Sequence, residues 1–211
     1  MSRSPISQRG SGTGTAAFLR RVITDQANIG AIAPTFPRLA RRLAGLIPPT
    51  PGLRVVELGA GTGAVSTAIG PRLGPGARHF ALERDPDLLV ALETRAPWAQ
   101  RIPGDAAELV SHLAALEVDE VDVVISALPW GYFDGDLQRR IMAEVCSVLV
   151  PGGMFATIAC LPTGLNPRSR TFRTILEASF KEVAITSPTW ANLPPARLLI
   201  CHGPRSEASS Q

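Results

Sequence analysis

Long apolar runs are missing from this 211-residue chain, although hydrophobic residues make up 45% of it. A membrane-spanning helix needs about 18 or more consecutive apolar residues. The most apolar stretch, residues 145–160, is interrupted by Pro151, Gly152 and Gly153. Residues 1–5 contain no apolar signal region, so we expect a cytoplasmic protein.

Cysteine is also scarce. The three cysteines, Cys146, Cys160 and Cys201, lie far apart in apolar surroundings and form no C-x-x-C pair. Zinc sites and disulfide frameworks usually show closely spaced or conspicuously paired cysteines. We therefore predict three buried free thiols and no metal centre.

Acidic residues are nearly absent from the first quarter of the chain. Residues 1–50 contain seven arginines and one acid, Asp25, whereas the net charge of the whole chain is +3. Residues 15–28 predict an amphipathic helix with arginines beside its apolar face. Such a helix suits an anionic bilayer surface, and basic segments also suit nucleic acid. A lid on the domain and ordinary solvated arginines are the other interpretations.

A glycine-rich turn is the most informative segment. Residues 53–58 predict a buried strand, and a helix is expected to begin near Thr62. Glycine at every second position allows a tight turn and lets the backbone approach a ligand closely. The positive partial charge at the amino end of the next helix attracts an anionic ligand to the same place. A second strand, residues 78–83, ends in Glu83, where a carboxylate can accept both ribose hydroxyls. The sequence predicts a nucleoside-containing cofactor. The turn consists of Gly59, Ala60, Gly61, Thr62 and Gly63.

The spacing of this turn is G-x-G-x-G, with Glu57 two residues before the first glycine. It resembles motif I of the class I S-adenosylmethionine (SAM) methyltransferases, whereas the dinucleotide fingerprint is G-x-G-x-x-G. The resemblance implies SAM as cofactor, with its ammonium on Glu57, its methionine moiety along residues 57–63, and its ribose on Glu83 beside Arg84. A nicotinamide dehydrogenase and a purely structural turn are the alternatives.

Strands and helices alternate through the rest of the chain, which favours a mainly parallel sheet covered on both faces. The last two predicted strands, residues 182–186 and 197–201, are expected to form an antiparallel hairpin. The resemblance implies an α/β, Rossmann-like three-layer sandwich with seven strands in the order 3-2-1-4-5-7-6. The earlier strands are predicted near residues 53–58, 78–83, 99–102, 121–127 and 154–160.

Two further segments follow predicted strands and belong to the expected site. Gly104-Asp105-Ala106 can contact adenine, although Asp105 can equally serve as the N-cap of the next helix. Residues 126–133 are expected to face the transferable methyl group. They resemble the N-[IL]-P-[FY] motif of adenine N6 methyltransferases without its asparagine. The segment contributes Ser126, Ala127, Leu128, Pro129, Trp130 and Tyr132.

Three of these side chains have specific expected roles. Trp130 either offers its π face to the substrate ammonium or fills the core. Tyr132, or a water held by Ser126, is a candidate base for the amine proton, unless desolvation alone removes that proton.

A narrower resemblance covers residues 16–202. Segments 18–20, 29–35, 38–40 and 192–196 are similar to those of the bacterial phospholipid N-methyltransferases, which carry G-A-[VI]-A-P-S-S before motif I. That resemblance implies methylation of phosphatidylethanolamine and its methylated intermediates, and an N-terminal helix attached to an anionic membrane surface on the inner face of the plasma membrane. It also places Ile32, Pro34 and Thr35 over the cofactor. One departure is S-A-L-P-W after the fourth strand, where the family has S-G-[LM]-P-[LF].

The sequence thus predicts four regions and leaves the acceptor open. Residues 1–14 are expected to be disordered, residues 15–50 to form the amphipathic helix and a lid helix, residues 51–203 to form the SAM-binding domain, and residues 204–211 to be a disordered tail. A soluble amine or secondary metabolite is the alternative acceptor. RNA adenine is a weaker alternative, because the asparagine and a separate RNA-binding domain are missing, so nucleic acid is not an expected partner.

Overall fold

The computed structural model describes residues 36–161, 166–190 and 195–205 of this chain. Seven strands within these ranges form one sheet in the order 3-2-1-4-5-7-6. Strand β7 is antiparallel to both of its neighbours, and the other pairs are parallel. The predicted fold class, strand order and C-terminal hairpin are confirmed. The strands are β1 (Arg54–Leu58), β2 (Arg78–Glu83), β3 (Gln100–Pro103), β4 (Val121–Ser126), β5 (Leu149–Cys160), β6 (Phe180–Ile185) and β7 (Ala196–Pro204).

Six α-helices and three short 3₁₀ turns connect the strands in the described ranges. Three of the helices begin at an N-cap side chain that accepts a backbone N–H: Asp85 from Asp87 at 3.0 Å, Asp134 from Leu137 at 2.9 Å, and Asn166 from Arg168 at 2.8 Å. The helices are α1 (Phe36–Ala44), α2 (Ser66–Ile69), α3 (Pro86–Arg95), α4 (Leu109–Ala114), α5 (Gly135–Val148) and α6 (Pro167–Ser179), and the turns are Gly70–Arg72, Ala106–Glu108 and Trp130–Tyr132.

The helices cover the sheet on both faces, because successive strand residues point to opposite sides. Val55 packs in a cluster with Leu39 of α1, whereas Val56 packs in another cluster with Ile141 of α5 and Leu176 of α6. All five side chains are buried. The result is a three-layer sandwich whose ligand edge is formed by the carboxyl ends of the parallel strands.

The helix that follows β1 begins later than predicted. We expected it near Thr62, but α2 begins at Ser66. Gly61 and Gly63 have positive φ angles of +55° and +86°, which lie outside the right-handed helical region. The glycines therefore form an extended turn ahead of the helix.

Strand β5 is longer than predicted. We expected it over residues 154–160, but it begins at Leu149 and continues through Pro151. The pairing with β4 shifts between Val121 and Val123, which pair with Leu149 and Met154. An irregularity in register lets a strand accommodate proline and glycine.

Strand β7 is longer than the predicted 197–201, since it runs from Ala196 to Pro204. The Arg205 amide then donates to the Ser179 carbonyl at 2.8 Å. Predictions for residues 1–35 and for 206–211 lie outside the described residues. In the described part of the chain, no helix is long and apolar enough to cross a bilayer.

Candidate active site

The glycine turn after β1 has the geometry that its sequence predicts. Gly59, Gly61 and Gly63 all have positive φ angles, of +74°, +55° and +86°. The Gly59 and Ala60 amides donate to the Leu82 carbonyl at 2.9 and 3.1 Å, so the turn is bound to the end of β2. A side chain at these glycine positions would be strained.

The three glycines differ in what surrounds them. A Cβ on Gly59 would lie 2.8 Å from the Leu128 side chain, and a Cβ on Gly63 would lie 2.9 Å from Leu92. A Cβ on Gly61 would meet nothing within 4 Å. Gly59 and Gly63 therefore permit close packing, while Gly61 faces open space at the carboxyl edge of the sheet.

Glu83 is a buried, preorganised acceptor at the end of β2, with 3% of its surface exposed. Its Oε2 accepts the Gly61 amide and its Oε1 accepts the Asp85 amide, both at 2.9 Å. A carboxylate offers about four lone-pair positions, so about two remain for a ligand. This arrangement suits the paired hydroxyls of a ribose.

Glu57 is completely buried in β1, and one of its oxygens has no hydrogen-bond partner in the part of the chain that the structure describes. Its Oε2 accepts the Ser66 hydroxyl at 2.6 Å and lies 3.0 Å from Nε2 of His79. Its Oε1 is buried and forms no hydrogen bond among the described residues. Because an unpaired buried carboxylate oxygen is costly, this atom fits a cationic or N–H donor from a ligand, such as the SAM ammonium.

The expected adenine segment lies beside Glu83. The Gly104 amide donates to the Glu83 carbonyl at 3.1 Å, and Arg84 lies 3.6 Å from Oδ2 of Asp105 across an exposed ion pair. The other oxygen of Asp105 accepts the Ala107 amide at 3.0 Å. The N-cap interpretation of Asp105 is therefore correct for one oxygen, and the adenine interpretation stays a prediction.

The neighbours of Asp105, Gly104 and Ala106, are both packed against other parts of the domain. Ala106 is buried, with its methyl group in the hydrophobic core, so only its backbone can face a ligand. A Cβ on Gly104 would lie 2.1 Å from Nε2 of His112. A side chain at position 104 would therefore displace the His112 ring.

The structure places Trp130 in the core, which corrects its expected contact with the substrate ammonium. Trp130 is 4% exposed, and its ring stacks on Phe172 at 4.2 Å between centroids. Its indole N–H donates to Ser126 and Thr157, both at 3.1 Å. Edge contacts with Phe133 complete the enclosure. Core filling, the other interpretation of this residue, is correct.

Ser126 is equally enclosed and does not fit the expected water-holding role. It is 0% exposed, and its hydroxyl oxygen accepts the Leu128 amide at 3.2 Å as well as the Trp130 indole. Pro129 is buried, whereas Ala127 and Leu128 are half-buried. Leu128 packs against Gly59.

Tyr132 is half-buried in the 3₁₀ turn beyond β4. Three side chains from α5 and the start of α6 hold this turn. Gln138 donates to the Trp130 carbonyl at 2.8 Å, Asn166 donates to the Gly131 carbonyl at 3.0 Å, and Arg168 donates to the Tyr132 carbonyl at 3.3 Å. The tyrosine is therefore held in place through its backbone.

Several residues that position the site were not predicted from the sequence. Ser66 and His79 hold Glu57, and Thr157 and Gln138 hold the segment beyond β4. All four are buried polar residues. The only available signal was a polar residue within an apolar segment, which does not reveal its partner. Ile32, Pro34 and Thr35 lie outside the described residues.

None of the three cysteines forms a disulfide; Cys201 is buried, as predicted, whereas Cys146 and Cys160 are only half-buried. Burial raises the pKa of the Cys146 thiol to about 11 and that of the Cys201 thiol to about 12. Burial also raises the pKa of Cys160. Thiols with such pKa values stay protonated near neutral pH, so they are poor nucleophiles and poor metal ligands.

A seven-stranded sheet in this order, a glycine turn after β1 and a buried glutamate at the end of β2 define the class I SAM-dependent methyltransferases. The open space at Gly61, the unpartnered Glu57 oxygen and the spare capacity of Glu83 fit SAM. Residues 55–153 match the family model described as a methyltransferase domain. The chain is also 35% identical over 191 residues to an ornithine lipid N-methyltransferase of Singulisphaera acidiphila, covering 88% of this chain and 94% of that protein. The chain belongs to the SAM-dependent methyltransferases, and its cofactor is SAM.

Solved structures with low sequence identity share the fold. The N-methyltransferase NodS of Bradyrhizobium japonicum, determined with S-adenosyl-L-homocysteine, has a TM-score of 0.69 at 16% identity, covering 90% of this chain and 99% of NodS. TrmN of Thermus thermophilus has a TM-score of 0.59 at 20% identity, covering 79% of this chain and 48% of TrmN, so this chain spans about half of that protein.

Proposed function

We propose that this enzyme methylates the amine of a membrane lipid, with an ornithine lipid as the preferred acceptor. The observation that carries this proposal is the 35% identity to an ornithine lipid N-methyltransferase across 94% of that protein's length. The phosphatidylethanolamine expected from the sequence also presents a primary amine and becomes the second acceptor to test. Both interpretations share one chemistry, methylation of a lipid amine.

The proposed cofactor contacts follow from the carboxyl edge of the sheet. When bound, SAM supplies an electrophilic methyl group on a sulfonium. Glu83 accepts the ribose hydroxyls, Glu57 accepts the ammonium through its free oxygen, and Asp105 accepts from the adenine amine. Gly61 provides the open surface for the methionine moiety. We also assign Ile32, Pro34 and Thr35 to the cover over the cofactor, as the phospholipid N-methyltransferase resemblance implies.

Positioning supplies much of the proposed rate enhancement. Bound SAM would supply its methyl group for in-line displacement by the lipid amine, with S-adenosylhomocysteine as the leaving group. The residues of this chain would contribute by holding the amine and the cofactor in that alignment. The Leu128 side chain, packed against Gly59, helps to form the apolar wall along which the amine approaches.

The amine must lose a proton before it attacks. An apolar approach lowers the pKa of an ammonium, because desolvation disfavours the charged form. Ser126 is enclosed by protein donors, so Tyr132 is the remaining candidate of the two bases considered.

Tyr132→Phe tests this role: kcat is expected to fall most at low pH, while SAM affinity stays unchanged. A wild-type pH profile in this variant would leave desolvation as the explanation.

The decisive assay offers the purified chain SAM and one acceptor at a time. Detergent micelles carry ornithine lipid, phosphatidylethanolamine or no lipid, and a parallel series contains free ornithine and ethanolamine. Mass spectrometry follows the methylated product, and S-adenosylhomocysteine is quantified in the same samples. We expect turnover with ornithine lipid above that with phosphatidylethanolamine. Turnover confined to the soluble amines would overturn the lipid assignment.

We also propose residues 15–28, for which the sequence predicts an amphipathic helix, as a membrane anchor. Removing residues 1–28 is expected to reduce flotation with anionic vesicles. Unchanged flotation of the truncated chain would reject that role for this segment.

A further inference from the structure

Helix α1 has a basic face opposite its buried face. Arg38, Arg41 and Arg42 are exposed, whereas Leu39 and Leu43 are completely buried. Residues spaced three and four apart lie on the same side of a helix, so the three arginines form one stripe. The stripe points away from the sheet.

A hydrogen bond connects this stripe to the loop after β6. The Arg42 guanidinium donates to the Thr189 hydroxyl. The next residue, Trp190, is 73% exposed, which makes it the most exposed large hydrophobic side chain among the described residues. We call Arg38, Arg41, Arg42 and Trp190 the Arg–Trp surface.

The Arg–Trp surface adjoins the edge of the sheet that holds the cofactor site. Strand β6 runs parallel to β1 through β5, since β7 is antiparallel to both β5 and β6. The loop that follows β6 therefore leaves from the carboxyl edge. Three strand spacings separate β6 from β4, a distance of about 14 Å.

The charge around this surface has one sign. Residues 36–53, which form α1 and its following loop, contain no Asp or Glu, and neither do residues 186–205, which follow β6. The one acid of β6, Glu182, lies in the first half of that strand, away from the carboxyl edge. An anionic bilayer attracts such a cluster of arginines, and tryptophan is enriched at the membrane–water interface. The combination of an exposed tryptophan with a basic stripe favours a lipid surface over a solvated helix face.

We propose that the Arg–Trp surface docks on an anionic bilayer and turns the carboxyl edge of the sheet towards the lipid headgroups. This inference rests on the proposed lipid substrate, and it concerns a surface separate from residues 15–28. It explains how a headgroup amine reaches a site that lies beside Tyr132 at the same edge. Lipid headgroups can then enter the site without leaving the bilayer.

Tryptophan fluorescence tests the docking directly in the full chain. The chain has three tryptophans. Trp130 is buried, and Trp98 lies just before β3, at the opposite edge of the sheet. With vesicles of brominated phosphatidylglycerol, we expect quenching and a blue shift that Trp190→Phe abolishes and Trp98→Phe retains. Vesicle-bound protein whose Trp190 is not quenched would overturn the proposal, as would a chain that binds no anionic vesicles.

Charge reversal provides the second test and separates this proposal from the substrate assignment. We expect Arg38→Glu with Arg41→Glu to weaken vesicle binding at least about tenfold and to lower methylation in vesicles, with unchanged methylation in detergent micelles. The matched control reverses Arg140 and Arg170, exposed arginines of α5 and α6. The docking proposal would be overturned if the Arg38/Arg41 double variant bound vesicles as tightly as the wild type, or if both double variants lost affinity equally.

The two proposals fail in different ways. No lipid methylation in micelles, combined with Trp190 quenching, would refute the lipid substrate and keep the surface. Equal binding of the Arg–Trp surface to nucleic acid and to vesicles would remove its assignment to lipid.

Discussion

Glu83 combines burial with two backbone donors, so its carboxylate is fixed before a ligand arrives. Replacing it with alanine removes the expected ribose acceptors and leaves the Gly61 and Asp85 amides without their partner. We expect Glu83→Ala to weaken SAM binding roughly 10- to 100-fold, equivalent to about 1.5–3 kcal/mol. Isothermal titration calorimetry measures this change.

A matched control separates this local effect from a general loss of charge. Glu93 lies on α3, is exposed and pairs with Arg101 at the surface. Glu93→Ala is expected to bind SAM as the wild type does. Equal affinity of Glu83→Ala and the wild type would remove Glu83 from the site.

Gly61 and Gly52 allow the strain of a substitution to be separated from its effect on the ligand. Both have positive φ angles, +55° and +74°, and a Cβ at either position meets no atom within 4 Å. We expect each alanine variant to lose about 1–2 kcal/mol of unfolding free energy from backbone strain. Only Gly61→Ala is expected to weaken SAM binding as well. Unchanged SAM affinity in Gly61→Ala would place the cofactor elsewhere.

The raised pKa values of two thiols make the free energy of unfolding depend on pH in the alkaline range. Their ordinary pKa is 9.0, and burial raises it to about 11 for Cys146 and about 12 for Cys201. Between these values the unfolded chain has lost thiol protons that the folded chain retains, so the folded state is favoured less as pH rises. The thiol contribution is complete below about pH 9 and is lost towards about pH 12. We expect the free energy of unfolding, measured with urea, to decline less steeply with pH when both cysteines are replaced by alanine. An identical decline in the variant and the wild type would contradict the raised thiol pKa values.

At the scale of elements, the 3₁₀ turn at Trp130–Tyr132 depends on α5 and α6 more than on its own sequence. The two N–H groups of Gln138 are shared among three carbonyls, those of Trp130, Phe133 and Arg168. Gln138→Leu removes these bonds inside the core, and we expect a loss of at least about 1–3 kcal/mol in urea unfolding. Exposed Gln100 is the control, and Gln100→Leu is expected to change stability little. Equal stability of the two variants would mean that the turn does not need Gln138.

Elements whose structure follows from local chemistry agreed with their sequence. The pattern of apolar runs separated by glycine or proline turns predicted β1, β2 and β4 to within one or two residues. The later start of α2 and the extension of β5 differed from prediction because they depend on backbone angles and on pairing with β4. Periodicity contains no information on either.

The site shows the same division. Properties that belong to single residues could be predicted from their spacing. Examples are the carboxylate of Glu83 at the end of β2 and the backbone freedom of the glycines in the turn after β1. The partners of Glu57 could not, because Ser66 and His79 come from two other elements that meet only in the folded chain. The sequence likewise could not distinguish a substrate-binding role for Trp130 from a core-filling one, since the stacking of its ring on Phe172 is visible only in the folded chain.

At the scale of the whole molecule, one edge of the sheet combines the cofactor site, the acceptor segment and the Arg–Trp surface. Parallel strands deliver their carboxyl ends to this edge, which explains why residues far apart in the chain cooperate. Helix α5 and the start of α6 support the acceptor segment, and α1 contributes the basic stripe. Lipid-amine methylation at a membrane surface is consistent with this one-sided arrangement.

A crystal structure of the chain with S-adenosylhomocysteine is the most direct test of this account. We expect both ribose hydroxyls within hydrogen-bonding distance of the Glu83 carboxylate, and the amino group of the ligand directed to Oε1 of Glu57. The homocysteine chain is expected to cross the open face of Gly61. A ligand bound away from Glu83, or protein side chains filling the space at Gly61 in the presence of saturating ligand, would contradict the central claim.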